Sequence, residues 1–309
     1  MRFVRILLIV LALLALLGFG AARYLLGRTP VPEKSDYALD FDELRRLATS
    51  MPGDLPTRVN HQQVAVGSLP KGAVFAGESL RAQQPMSHGA YQVVYPDKTF
   101  AMIDSAFSAD MMHVMNPTAA FDESAFAVLL HGLAAAKVIV ITHEHPDHIG
   151  GIALYNNPRD LVGRLMLTKE QLGNAGMMAA AKVPESLQKA LTPLEYDKYY
   201  AAAPGMVLVK APGHTPGSQI VYVKLASGKE LLFVGDVAWH MDQIRELWYR
   251  PRLVTDYFLH ENREQVLNQL RTLHDLAQTQ PGVQIVVSHD LDQRGQLIKS
   301  GLLGDRFEF

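Results

Sequence analysis

The chain has 309 residues, 48% apolar and 19% charged, a composition that fits one large α/β domain with a short extension and excludes a disordered chain. A net charge of −2, with no Lys/Arg-rich run beyond the N-terminus, leaves no electrostatic footprint for nucleic acid. Cysteine is absent, which excludes a disulfide framework, a thiolate zinc site and a cysteine nucleophile; any metal must be held by nitrogen and oxygen.

The N-terminus reads MRFVRILLIVLALLALLGFGAARYLLGR. Arg2 and Arg5 precede an uncharged run from Ile6 to Ala22, and Arg23 closes it. At the helical rise that run covers about 25 Å, the short end of a bilayer span. It shows no polar face of the kind a surface helix of a soluble domain carries, while Gly20 and Ala22 are small enough for a cleavage site. Residues 1–26 are therefore expected to be a signal-anchor or a signal peptide, with the N-terminus cytoplasmic. The rest of the chain is then expected in the cell envelope: exported and membrane-anchored, or periplasmic or secreted if the segment is cleaved. Prolines and charges over 27–60 predict a tether, with one short helix in DFDELRRLATS capped by Asp40 or Asp42. The domain is expected over 61–309.

From about 61 short strands are predicted, including a pair around the Pro-Asp turn of YQVVYPDKTFAMIDSA. FDESAFAVLLHGLAAA has helical periodicity, and KVIVIT has the β-branched character of a buried strand. After it, Gly150-Gly151 and IALYNN predict a loop and then a helix. Residues 169–203 are expected as short helices broken by prolines, with Met177 and Met178 forming a packing face or an apolar lid. VLVKAP, SQIVYVKL, KELLFVGD and VQIVVSHD read as strands, and ENREQVLNQLRTLHDLAQ as an amphipathic helix. Alternation on this scale predicts a layered α/β fold.

ITHEHPDHIGG, at 141–151, crowds three histidines, a glutamate and an aspartate into six positions. A polar loop would account for it; so would a metal site completed elsewhere. His214 in APGHTPGS, Asp236 closing ELLFVGD and His289 closing VQIVVSHD each stand beside an apolar run, and α/β proteins place ligand sites at strand ends. SQIVYVKL and ELLFV, joined by ASGK, form a predicted hairpin whose open end brings His214 and Asp236 together. If KVIVIT and VQIVVS lie in adjacent sheets with the same edge up, His143, His145, Asp147, His148, His214, Asp236 and His289 meet at one rim. These are more donors than one tetrahedral ion uses, but two ions sharing a carboxylate would use them all.

H-x-H-x-D-H at 143–148, followed in order by His214, Asp236 and His289, resembles the metallo-β-lactamase fold superfamily over about residues 61–295. The resemblance implies an α/β fold, an αβ/βα four-layer sandwich. It implies that His143, His145 and His214 bind a first divalent metal, that Asp147, His148 and His289 bind a second, and that Asp236 bridges. Zinc suits such ligands, and so do iron and manganese. A bridging hydroxide would attack the substrate, with Asp147 able to accept a proton. The full ligand set resembles glyoxalase II-like thioesterases, acyl-homoserine-lactone lactonases and phosphodiesterase relatives. THEHPDHIGG, PGHTPGSQ, GDVAW and SHD look most like the lactonases, which usually carry a tyrosine where this chain has Trp239. The expected activity is hydrolysis of a carboxylic ester or lactone in a small molecule. A thioesterase or phosphodiesterase is the alternative, and a non-hydrolytic metal-binding envelope protein is the alternative of another class.

Asp104, at a strand end, is expected to orient a ligand histidine, and Trp239 and His240 to line the substrate pocket. His88 and His113 are expected as solvated loop residues, His61, His131, His260 and His274 as structural or surface residues, and Tyr222 as core.

Overall fold

The structure is a computed structural model and describes residues 2–309. Among the described residues eleven strands form two sheets. The first contains β1 (Arg58–Pro70), β2 (Gln83–Val94), β3 (Phe100–Ile103), β4 (Ala120–Phe121), β5 (Val138–Val140) and β6 (Leu165–Met166), in the order β4-β1-β2-β3-β5-β6. The second contains β7 (Tyr199–Ala203), β8 (Met206–Lys210), β9 (Gln219–Lys224), β10 (Glu230–Phe233) and β11 (Val283–Val286), in the order β11-β10-β9-β8-β7. Strands β3, β5 and β6 run parallel, as do β10 and β11; β8, β9 and β10 are antiparallel neighbours.

The strands are apolar on both faces because both faces are covered. Along β9, Val221 and Val223 point into the layer between the sheets, where they meet Ile103 and Val140. Ile220 and Tyr222 point outward beneath the helices Phe41–Ala48 and Arg263–Thr279. The outer face of the first sheet buries Met102 and Ile139 against Phe126, Leu129 and Leu133 of the helix Glu123–Ala135. The outcome is the four-layer αβ/βα sandwich. Of the two expected caps it is Asp40 that accepts, from Glu43 N at 3.0 Å, and Asp122 caps its own helix by accepting from Ala125 N at 2.9 Å.

Three segments differ from expectation. Residues 35–48 pack on the second sheet: Ser35 Oγ donates to Asn268 O, Tyr37 Oη donates to Lys210 O, and Phe41, Leu44 and Ala48 are buried. A short amphipathic helix gains its stability from such packing, which the prolines around it conceal. The helix after the histidine cluster begins inside it, at Pro146, and runs to Ala153. Proline suits the first helical turn, and Gly151 lets the helix lie directly on Ser105, whose carbonyl a Cβ would strike. Within 169–203 the helices end early, and Tyr199–Ala203 is the edge strand β7.

The helix Arg2–Leu26 is exposed along its length and is apolar and long enough to cross a bilayer. Leu44→Ala is expected to cost about 2–5 kcal/mol in chemical denaturation, as for a core leucine. A loss below about 0.5 kcal/mol, typical of surface positions, would return this segment to a free tether.

Candidate metal centre

The rim of the sandwich collects the strand ends. Asp104 follows β3, His143 follows β5, Asp236 follows β10 and His289 follows β11, while His214 lies in the loop entering β9. Gly235 turns the chain out of β10 at φ +51°, where a Cβ would crowd the Thr142 side chain at the end of the other sheet.

Asp236 is buried at the centre of the cluster. Its Oδ2 lies 3.7 Å from His143 Nε2 and 3.4 Å from His214 Nε2. His145 Nδ1 completes that group, 3.1 Å from His143 Nε2 and 2.9 Å from His214 Nε2. Its Oδ1 lies 3.3 Å from His148 Nε2 and 3.2 Å from His289 Nε2. Asp147 Oδ2 stands 3.7 and 3.6 Å from the same two nitrogens. Ligands at about 2.1 Å from a tetrahedral ion stand roughly 3.4 Å apart, so two donor groups of metal-binding size meet at one carboxylate. His88 Nδ1, His148 Nε2 and Asp236 Oδ1 are buried without a hydrogen-bond partner. Buried polar atoms left unpaired are costly, and the donor set around His148 and Asp236 is of the kind that would hold a divalent cation.

A ring of acceptors turns the histidine lone pairs inward. His148 Nδ1–H donates to Asp104 Oδ2 at 2.8 Å, His214 Nδ1–H to Glu261 Oε1 at 2.6 Å, and His289 Nδ1–H to Ser87 O at 2.9 Å. Each bond leaves Nε2 free to ligate. Asp104 has φ +65°, a strained conformation for a non-glycine residue, and its Oδ1 also accepts from Thr142 N at 2.7 Å.

Glu261 is the main residue that sequence reasoning missed. It accepts from His214, from Arg250 Nη2 at 2.7 Å and from Tyr249 Oη at 2.6 Å, and Arg250 also donates to the Asp236 carbonyl. Nothing local marks a glutamate in a loop before a helix as the partner of a distant histidine. Glu144, inside the motif, points away from the donors and accepts from Thr215 Oγ1 at 2.7 Å and Asn174 Nδ2 at 2.9 Å. It joins the histidine loop to the loop carrying His214.

Burial depresses the His143 and His145 imidazolium forms, taking the latter to about 3. Burial also disfavours charge on His148, His214 and His289, but neighbouring carboxylates outweigh it and raise all three. Burial works against the Asp236 carboxylate too, yet His289, His148 and His143 hold it far below the ordinary range.

Trp239 donates its indole N–H to Asp236 Oδ2 at 2.7 Å and lies under the Arg250 guanidinium. It holds the carboxylate and walls a cavity of about 530 Å³ over the cluster. Leu69, Met86, Met112 and Val254 form the rest of an apolar wall, and His145, Asp147 and His289 reach its floor. Met177 lines this cavity, whereas Met178 is buried core. His240 is not on the cavity: it caps the helix Met241–Arg245 and stands 3.5 Å from Asp290, because the chain turns into that helix immediately after Trp239. His88 corrects another expectation. It lies in β2, buried, 3.6 Å from Asp147 Oδ2, because β2 extends to the rim instead of ending in a loop. His113 and His131 are exposed, His61 is buried against Arg294, and Tyr222 is core.

Asp104→Asn places an amide donor against His148 Nδ1–H. Titration against a chromophoric chelator is expected to show one divalent-ion affinity weakened about 10–100-fold with the other little changed. Equal affinities in both proteins would remove the orienting role.

Residues 90–280 match the family model of the metallo-beta-lactamase superfamily. The chain is 27% identical over 165 residues to the N-acyl homoserine lactonase AttM of Azorhizobium caulinodans, covering 52% of this chain and 60% of that protein. It is 29% identical over 119 residues to the AttM of Rhizobium radiobacter, covering 37% and 45%. The chain thus spans about half the length of these relatives. A quorum-quenching N-acyl homoserine lactone lactonase shares the fold at TM-score 0.62 and 15% identity, over 78% of this chain and 95% of that one. A probable metal-dependent hydrolase from Staphylococcus aureus does so at TM-score 0.56 and 14% identity, over 76% and 90%.

Proposed function

The chain belongs to the metallo-beta-lactamase superfamily of hydrolases, and on that premise we propose that it is a membrane-anchored dinuclear hydrolase of lactones or related carboxylic esters. The observation that carries this reading is the Asp236 carboxylate, with one oxygen facing two histidine nitrogens of each donor group at 3.2–3.7 Å. His143, His145 and His214 would hold one ion and Asp147, His148 and His289 the other, with Asp236 facing both groups. Bound there, divalent ions supply Lewis acidity toward a carbonyl oxygen and acidify water. Zinc matches the imidazole and carboxylate donors, as iron and manganese also do.

The protein's own groups do the remaining work. Asp147 stays ionised: burial opposes its charge, but His148, His88 and His289 hold its carboxyl well below the usual range. It is therefore an anionic donor suited to a cation and only a weak proton acceptor. Trp239 holds Asp236 in one orientation, and its indole offers no hydroxyl to a substrate carbonyl. The apolar cavity walls exclude water and accept an acyl chain. The choice of a lactone is supported by the AttM lactonases. Residues 2–26 serve as the anchor and the sandwich lies outside the membrane, in the cell envelope.

The detergent-solubilised chain is expected to bind about two divalent ions and to hydrolyse one substrate class in a panel of lactones, esters, thioesters and phosphodiesters. Turnover confined to thioesters or phosphodiesters would replace the lactone reading; retention of fewer than one ion under metal-replete conditions would remove the dinuclear one. His148→Ala is expected to lower kcat/KM at least about 100-fold with the circular dichroism spectrum unchanged, a loss of several kcal/mol in transition-state stabilisation. Ion binding without turnover of any substrate in the native chain would favour a non-hydrolytic metal-binding protein.

A further inference from the structure

We propose that the mouth of the cavity rests on the lipid surface in which the N-terminal helix is anchored, so that substrate enters the site from the bilayer. This rests on the anchor reading of residues 2–26 and adds an orientation to it.

The junction between helix and domain is built from specific bonds. Gly77 N donates to Leu26 O at 2.7 Å, and Arg263 Nη2 donates to Thr29 Oγ1 at 2.8 Å. The Arg28 guanidinium lies 3.9 Å over the Trp248 ring, and that of Arg252 lies 4.9 Å from the Tyr24 ring. Trp248 packs in the apolar cluster containing Trp239, Met86 and Val254, the residues that wall the cavity. The helix end and the cavity therefore share one wall.

From Arg252 the chain enters the π-helical turn Leu253–Phe258, whose far end lies within about 10 Å at a helical rise. There Phe258 borders the cavity and is 73% exposed, with Tyr257 beside it 58% exposed. The helix Ala109–Met115 lines the same cavity through Met115, 51% exposed, next to Val114, 86% exposed. Large apolar side chains gathered around one opening mark a surface that is covered in use. Arg23, Tyr24 and Arg28, all exposed at the helix end, supply the basic and aromatic groups that settle at lipid headgroups. These features commit the face to a phospholipid surface. The substrate class follows: an amphiphile whose acyl chain partitions into the membrane and whose hydrolysable head reaches the histidines between apolar walls.

The chain has no cysteine, so a single introduced thiol takes a fluorophore uniquely. Phe258→Cys and Val114→Cys report the mouth, and Ser227→Cys, in the β9–β10 turn at the closed end of the hairpin, reports the opposite pole. The full chain carrying an environment-sensitive label is reconstituted into phosphatidylcholine/phosphatidylglycerol vesicles with or without doxyl-labelled lipid. Labels at 258 and 114 are expected to shift to the blue and to be quenched by doxyl lipid, while the label at 227 is not. Chains that float with the vesicles but keep the label at 258 in water overturn the docking and leave the anchor intact. Failure to float overturns the anchor reading and the docking together, and equal quenching at 258 and 227 overturns the orientation. No readout depends on turnover, so the hydrolase reading is tested separately.

Discussion

A buried carboxylate with nowhere to hide its charge organises this molecule. Asp236 sits between the two sheets, out of water, with one oxygen toward each histidine group. Desolvating a carboxylate costs several kcal/mol unless donors and cations compensate. The Trp239 indole N–H and the nearby Arg250 guanidinium supply part of that compensation, and cations held by the facing nitrogens would supply the rest. The surrounding geometry can be understood as what keeps these partners in place.

That geometry depends on groups that touch no substrate. Asp104 bends through a left-handed backbone conformation to accept from Thr142 and His148, coupling β3 to the histidine loop. Glu261 joins His214 to Arg250 and Tyr249, coupling the loop before β9 to the segment that follows Trp239. Ser87 on β2 fixes His289 beyond β11, across the two sheets. Each contact sets a tautomer as well as a position, and a histidine in the other tautomer presents a proton where a lone pair is needed. The sandwich holds donors from several strand ends within a fraction of an ångström because interiors are close-packed and resist deformation.

The cavity is unlike this polar floor. Its walls are leucine, methionine, valine and tryptophan, and its rim carries exposed aromatic and aliphatic side chains next to the exit of an apolar helix. Polar chemistry beneath an apolar funnel suits a substrate with one reactive head and one greasy tail.

The amino-acid sequence by itself determined the donors and the strand ends. H-x-H-x-D-H, His214, Asp236 and His289 are legible because each abuts a β-branched apolar run, and the hairpin around ASGK brings two of them together through local turn geometry alone. The four layers, and two donor groups sharing Asp236, are what the resemblance of that pattern to the metallo-β-lactamase superfamily implies. The packing of Leu44, the inward position of His88 and the ligation ring of Glu261, Arg250 and Tyr249 were decided only by the tertiary structure. His214 and Glu261 are 47 residues apart, with no shared periodicity or turn to relate them. Their meeting is set by how loops from different elements are clamped over one sheet edge. Local patterns report which face of a strand or helix is buried, and carry no information about which distant loop lies across from it.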